Sequence, residues 1–134
     1  MDTCKKIHTK MKTLIILFAL AAIAFARPEE YYSTQYDDFD VDELVNNVRL
    51  LKNYGKCFLN QGPCTPEGND FKKVIPDAVK TKCVKCSPKQ KVLIRKVVRG
   101  FQEELPEIWS ELVQQEDPKG LYKTEFENFL NGTD

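Results

Sequence analysis

The chain predicts an all-α domain of six helices. Apolar residues recur at intervals of three and four from Leu44 onward, capping residues ahead of proline or acidic residues mark helix starts, and no segment alternates as a half-buried strand would. Short connections between such segments give a helical globule with one core. No internal repeat, low-complexity tract or second domain interrupts it.

Residues 27–38 are polar and aromatic, with Tyr31, Tyr32 and Tyr36, and their lack of a period reads as an extended arm. Asp40-Val41-Asp42-Glu43 supplies an N-cap with a glutamate three residues later, and Leu44, Val45 and Val48 follow at near-helical spacing, so a short first helix starts there. Asn46-Asn47 interrupts it, after which Leu51, Tyr54 and Phe58 carry a second helix up to Gln61-Gly62-Pro63. Thr65-Pro66-Glu67 opens the third, with Phe71, Val74, Ile75, Ala78 and Val79 on one face. Ser87-Pro88 repeats that start signal and leads into Ile94, Val97, Val98, Phe101 and Leu105, the longest apolar stripe in the chain. Pro106 begins a fifth helix with Ile108, Trp109, Leu112 and Val113. Asp117-Pro118-Lys119-Gly120 is a turn by composition, and Tyr122, Phe126, Phe129 and Leu130 place a sixth helix on the core.

Residues 1–26 read as a secretory signal. From Met11 the sequence is a lysine, a run of about a dozen apolar residues, and small residues at Ala24 and Ala26 before Arg27, an A-x-A cleavage pattern. The apolar run is shorter than the roughly 20 residues a bilayer-spanning helix needs. Met11 itself opens a compact signal, so either Met1 or Met11 serves as the start. The expected product is a secreted, soluble, monomeric domain spanning residues 27–134.

Of the 134 residues, 42% are hydrophobic and 30% charged. Beyond Ala26 the chain holds 16 basic and 19 acidic residues, which leaves no basic surplus for nucleic acid or an anionic membrane surface. The single histidine, His8, lies within the signal. The exported domain therefore has no Ser-His-Asp or Cys-His catalysis, no histidine zinc site and no default general base. No acidic pair stands out as a glycosidase couple, and the glycines form no phosphate loop after a strand. An enzyme is not expected, nor is a cofactor.

With Cys4 in the signal, Cys57, Cys64, Cys83 and Cys86 remain, an even number suited to disulfides in an exported domain. Of the three connectivities, the short spacing within each pair favours Cys57–Cys64 and Cys83–Cys86. Closing loops of eight and four residues removes roughly 2 to 2.5 kcal/mol of chain entropy each. Only Cys83-Val84-Lys85-Cys86 has the form of a zinc knuckle, and a redox C-x-x-C belongs after a strand rather than after a helical pattern. Asn131-Gly132-Thr133 is a glycosylation sequon close to the end of the chain, expected to be used poorly or not at all.

The apolar stripes serve as core or as the wall of a ligand cavity, and periodicity alone does not separate the two. More specific are the words Tyr36-Asp37, Asn47-x-Arg49-Leu50-Leu51-Lys52-Asn53-Tyr54, Gly62-Pro63-Cys64-Thr65-Pro66-Glu67-Gly68, Ile75-Pro76-Asp77-Ala78, Cys83-x-x-Cys86, Lys89-Gln90-Lys91, Trp109 and Asp117-Pro118-x-Gly120. From Tyr36 to Tyr122 the chain resembles the insect chemosensory proteins, the OS-D or A10 family. That resemblance implies six helices around an apolar channel for small hydrophobic ligands such as long-chain lipids and semiochemicals, with neighbouring cysteines paired. It also implies that Tyr54 lies by the channel as a gate, and that Tyr122 stands where some members carry a ligand-facing tryptophan. Gly55 departs from the family pattern, which has a larger apolar residue there.

The expected lining is Leu44, Val48, Leu51, Tyr54, Phe71, Ile75, Val79, Ile94, Val97, Phe101, Trp109 and Tyr122. The competing reading is a secreted developmental or tissue-maintenance factor that acts through a protein partner, such as a membrane receptor.

Overall fold

The structure is a computed structural model that describes residues 31–132. The signal reading for residues 1–26, with Cys4 and His8, lies outside the described residues, as does Thr133 of the sequon. Among the described residues six α-helices form as the sequence predicts: α1 Val41–Asn46, α2 Val48–Phe58, α3 Pro66–Thr81, α4 Pro88–Glu104, α5 Pro106–Glu116 and α6 Lys123–Leu130. No strand occurs among the described residues.

The predicted caps make their bonds. Asp40 accepts from the Glu43 amide, Thr65 from the Gly68 amide, and Ser87 from the Gln90 amide, while the Gln90 side-chain oxygen accepts in turn from the Ser87 amide. Asn47 is extended and its side chain accepts from the Leu50 amide, so the two asparagines end α1 and start α2. α2 stops at Phe58, slightly before the predicted Gln61, as Asn60 turns left-handed at φ 60°. α3 runs through Pro76, where the bond to the Lys72 carbonyl is lost.

The arm is not wholly extended. The Ser33 hydroxyl accepts from the Gln35 amide and the Asp37 amide bonds back to the Thr34 carbonyl, folding Thr34–Tyr36 into a 3-10 turn. Both predicted disulfides are present, Cys57–Cys64 and Cys83–Cys86. The second holds a tight reversal after α3, where Lys82 and Cys83 both adopt positive φ, uncommon for residues with a side chain. The Cys83 amide, bonded to the Ala78 carbonyl at 2.8 Å, fixes the same turn.

α1 packs on α4, α2 on α3 and α5, and α4 on α5. One buried cluster joins Leu44, Leu51, Tyr54, Cys57, Phe58, Leu59, Phe101 and Leu112; another joins Ala78, Cys83, Cys86, Val98, Phe129 and Leu130. Trp109 packs against both. Two glycines set the closest approaches. A Cβ on Gly100 would lie 3.0 Å from Val45 Cγ1, and one on Gly55 would lie 2.8 Å from Ile108 Cγ2 and 2.9 Å from Phe101 Cε1. Bare backbone at residue 55 is what lets α4 and α5 close onto α2.

Gly55→Ala gains about 1 kcal/mol of helix propensity, but drives a methyl into two packed side chains, an overpacking that costs about 1–3 kcal/mol. The expected net effect is a loss of about 1 kcal/mol by urea denaturation, and a variant more stable than the parent would show that Phe101 and Ile108 yield freely.

Candidate functional site

A continuous row of rings runs from Tyr36 of the arm into the first cluster. Tyr36 meets Phe71 at a centroid distance of 5.0 Å, Phe71 meets Phe39 at 5.3 Å, Phe39 meets Tyr54 at 6.0 Å, Tyr54 meets Phe58 at 6.1 Å and Phe58 meets Phe101 at 6.5 Å. Most are edge-on, the geometry the ring quadrupoles favour. The row crosses from the arm through α3 and α2 to α4.

Most of the expected lining residues gather here. Leu44, Leu51, Tyr54 and Phe101 are buried in the cluster, with Phe71, Ile75, Val97 and Trp109 packed on it. Ile94 packs on the other cluster, while Val79 and Tyr122 are half-buried and belong to neither. Val48 is 42% exposed and does not face the interior. The physical reason is the extended Asn47: the helix restarts at Val48, so the phase running from Leu44 is not carried across the break.

The buried members pack together as one apolar cluster. Beside them, a depression of ≈ 350 Å³ opens over Tyr54, lined also by Leu50, Asn53, Lys56, Pro63 and the Cys57–Cys64 disulfide. That volume is near the lower limit of small-molecule sites. A depression of ≈ 240 Å³ between α4 and α6 carries Arg99, Gln102, Glu127 and Asn131 on its walls and offers an apolar chain little.

The Tyr54 hydroxyl accepts from Thr65 Oγ1 at 3.3 Å, the same oxygen that caps α3 by accepting from Gly68. Tyr54 is thereby a ring within the core and a hydroxyl at the rim of the depression. Tyr122 is held by Asp117, a buried carboxylate that accepts from the amides of Leu121 at 2.8 Å and Tyr122 at 3.1 Å. The turn read at Asp117-Pro118 is the device that starts α6.

Sequence reasoning missed four participants. Phe39 enters the ring row from the arm. Tyr32 donates its hydroxyl to Asp77 and Tyr36 donates to Asp70, both carboxylates on α3. Gln90 completes the grip from α4, donating through Nε2 to the Ser33 carbonyl at 3.0 Å and to Asp37 Oδ1 at 3.1 Å. The available signals were the recurrent aromatics in an otherwise polar segment and, for Tyr36 and Gln90, the family words that contain them.

Burial and the bond to Asp77 push the Tyr32 phenol well above its ordinary range; the bond to Asp70, with desolvation, pushes Tyr36 up to about 12. No group of three or more His, Cys, Asp or Glu side chains among the described residues is arranged for a metal. No helix among them is long and apolar enough to cross a membrane.

The described residues form a disulfide-stapled, all-helical domain with an aromatic interior. Residues 32–124 match the insect pheromone-binding family, A10/OS-D, and the chain belongs to that family. It is a family of binding proteins rather than enzymes. Allergen Tha p 1 from Thaumetopoea pityocampa is 42% identical over 120 residues, covering 90% of this chain and 95% of that protein. Ejaculatory bulb-specific protein 3 from Drosophila melanogaster is 45% identical over 112 residues, 84% of this chain and 88% of the relative.

Among solved structures, a chemosensory protein in complex with bromo-dodecanol aligns with a TM-score of 0.66 at 34% identity, covering 72% of this chain and 97% of the other. Antennal chemosensory protein A6 from the moth Mamestra brassicae gives 0.61 at 33% identity, covering 75% and 93%.

The two phenols are acids whose protons the folded state holds more tightly than the unfolded chain, where the pKa is near 10. Their contribution to stability is complete below pH 10 and is lost as pH rises toward 12 and beyond. Urea denaturation across pH 9–12 is expected to fall more steeply for the parent than for a Tyr32→Phe, Tyr36→Phe variant; parallel curves would contradict the two bonds.

Proposed function

We propose that this chain is a secreted carrier of small hydrophobic ligands, long-chain alcohols and other lipid-like semiochemicals among them, that holds the alkyl chain in its aromatic interior. The observation that carries the reading is the ring row joined to an amphipathic depression at Tyr54, in a fold shared with a chemosensory protein bound to bromo-dodecanol. In this reading the alkyl chain lies among Leu44, Leu51, Tyr54, Phe71, Ile75, Val97, Phe101 and Trp109.

The mechanism is desolvation. Each buried methylene contributes about 0.8 kcal/mol, offset by lost translational freedom and by the ordering of a flexible chain. Affinity in the micromolar range with weak discrimination among neighbouring chain lengths follows. The Tyr54 hydroxyl accepts from Thr65 and donates to no acceptor among the described residues, leaving its proton for an alcohol, aldehyde or ester oxygen at the rim.

Displacement of a fluorescent probe by dodecanol tests the reading, with micromolar competition expected and no competition at millimolar alcohol contradicting it. Tyr54→Phe keeps the ring and removes the donor, a loss of about 1 kcal/mol; dodecanol affinity should fall about fivefold while that of decane stays put. An equal change for both would return the hydroxyl to a structural role.

Lowering pH from 7.5 to 5.5 should change dodecanol affinity less than twofold, because no histidine follows His8. A tenfold change would reveal a buried carboxylate at the site. Export predicts Arg27 as the first residue of the protein recovered from the extracellular medium, and Edman sequencing that begins at Met1 or Met11 would refute removal of residues 1–26.

A further inference from the structure

α3 and α4 follow one another through the Cys83–Cys86 turn, yet they are not one of the closely packed helix pairs. What spans the interval is residues 31–39. On one side Tyr32 and Tyr36 donate to Asp77 and Asp70 of α3. On the other, Gln90 of α4 bonds the Ser33 carbonyl and Asp37, and Lys89 pairs with Asp38 at 2.9 Å. The Tyr32 amide closes the upper end on the Lys85 carbonyl at 2.9 Å, within the disulfide turn. The polar ties lie at the surface or half-buried; the apolar ones are the Tyr36 ring on Phe71, the packing of Tyr32 on the second cluster, and Phe39.

The Phe39 ring lies between Phe71 and Tyr54 and packs on the first cluster. It covers the same apolar faces an alkyl chain would cover on its way to Phe58 and Phe101. We propose that residues 31–39 form a strap, held shut by Tyr32, Tyr36 and Gln90, which seats Phe39 where the ligand's chain will lie and lifts to admit it. The inference rests on the carrier reading and adds its regulation: the closed strap competes with the ligand. Apparent affinity is then the intrinsic affinity reduced by the fraction of molecules whose strap is open. Weakening the strap must therefore tighten binding, whereas loss of a merely structural brace would weaken it.

The experiment is stopped-flow and equilibrium binding of N-phenyl-1-naphthylamine to the parent, to Tyr32→Phe, Tyr36→Phe, and to Phe39→Ala. Both variants should bind the probe with a Kd at least threefold lower and associate faster. A Kd lowered by less than that, unchanged or raised would overturn the strap while leaving the carrier intact. Failure of the parent to bind the probe would overturn the carrier, and the strap with it. Amide exchange in the parent decides the matter should the variants not fold: saturating dodecanol should speed exchange at Tyr32 and slow it at Leu51. Slower or unchanged exchange at Tyr32 would overturn the proposal.

Discussion

The edge-on contact of Phe39 with Tyr54, at 6.0 Å between centroids, is the junction through which the rest of the molecule is organised. Tyr54 continues inward to Phe58 and Phe101, while Phe39 continues outward to Phe71 and Tyr36. Each aromatic pair adds about 0.5–1.5 kcal/mol beyond its buried area, and the row couples three helices to a segment whose one regular element is the short 3-10 turn Thr34–Tyr36. An interior built of rings has a particular virtue for a carrier. Flat, apolar faces can exchange one another for an alkyl chain without leaving a polar group unsatisfied, and no buried side-chain polar atom lacks a partner among the described residues.

Around that junction the fold separates rigid parts from movable ones. The Cys57–Cys64 disulfide and the Thr65 cap fix the α2–α3 corner on which the Tyr54 hydroxyl rests. Gly55 brings Phe101 and Ile108 against α2, closing the far end of the row. Arg95, buried on α4, donates to the Phe129 carbonyl at 2.9 Å and lies 4.5 Å over the Phe129 ring, which pins α6 through a charge that its neighbours solvate. The polar ties on residues 31–39 are different in kind: they lie at the surface or half-buried, where ions and solvent compete and ion pairs contribute little. Mobility is expected where the fold spends its weakest interactions.

Much of this was legible in the sequence because its signals are local. Caps at Asp40, Thr65 and Ser87, prolines at first helical positions and the three-four recurrence of apolar residues each act within one or two turns, and the structure honours them. What was not legible depends on phase or on distant partners. Val48 keeps the spacing of a core residue yet faces solvent, because one extended residue at Asn47 resets the helix. Arg95 looks like a surface cation until its position three residues before buried Val98 is noticed. Tyr32 and Tyr36 carry no period at all, and their partners Asp77 and Asp70 lie 45 and 34 residues away. Gln90 was visible as part of a family word, but its second role in gripping the arm follows only from the fold.

Isotope-edited NMR of the labelled protein with dodecanol asks most directly whether the ring row is the place a ligand's chain occupies. Contacts from the chain methylenes to the Phe101 ring and the Leu51 methyls, together with loss of the Phe39-to-Tyr54 contact, are the predicted result. Contacts confined to Leu50 and Pro63 at the rim, with the interior contacts unchanged, would contradict it and confine binding to the surface depression.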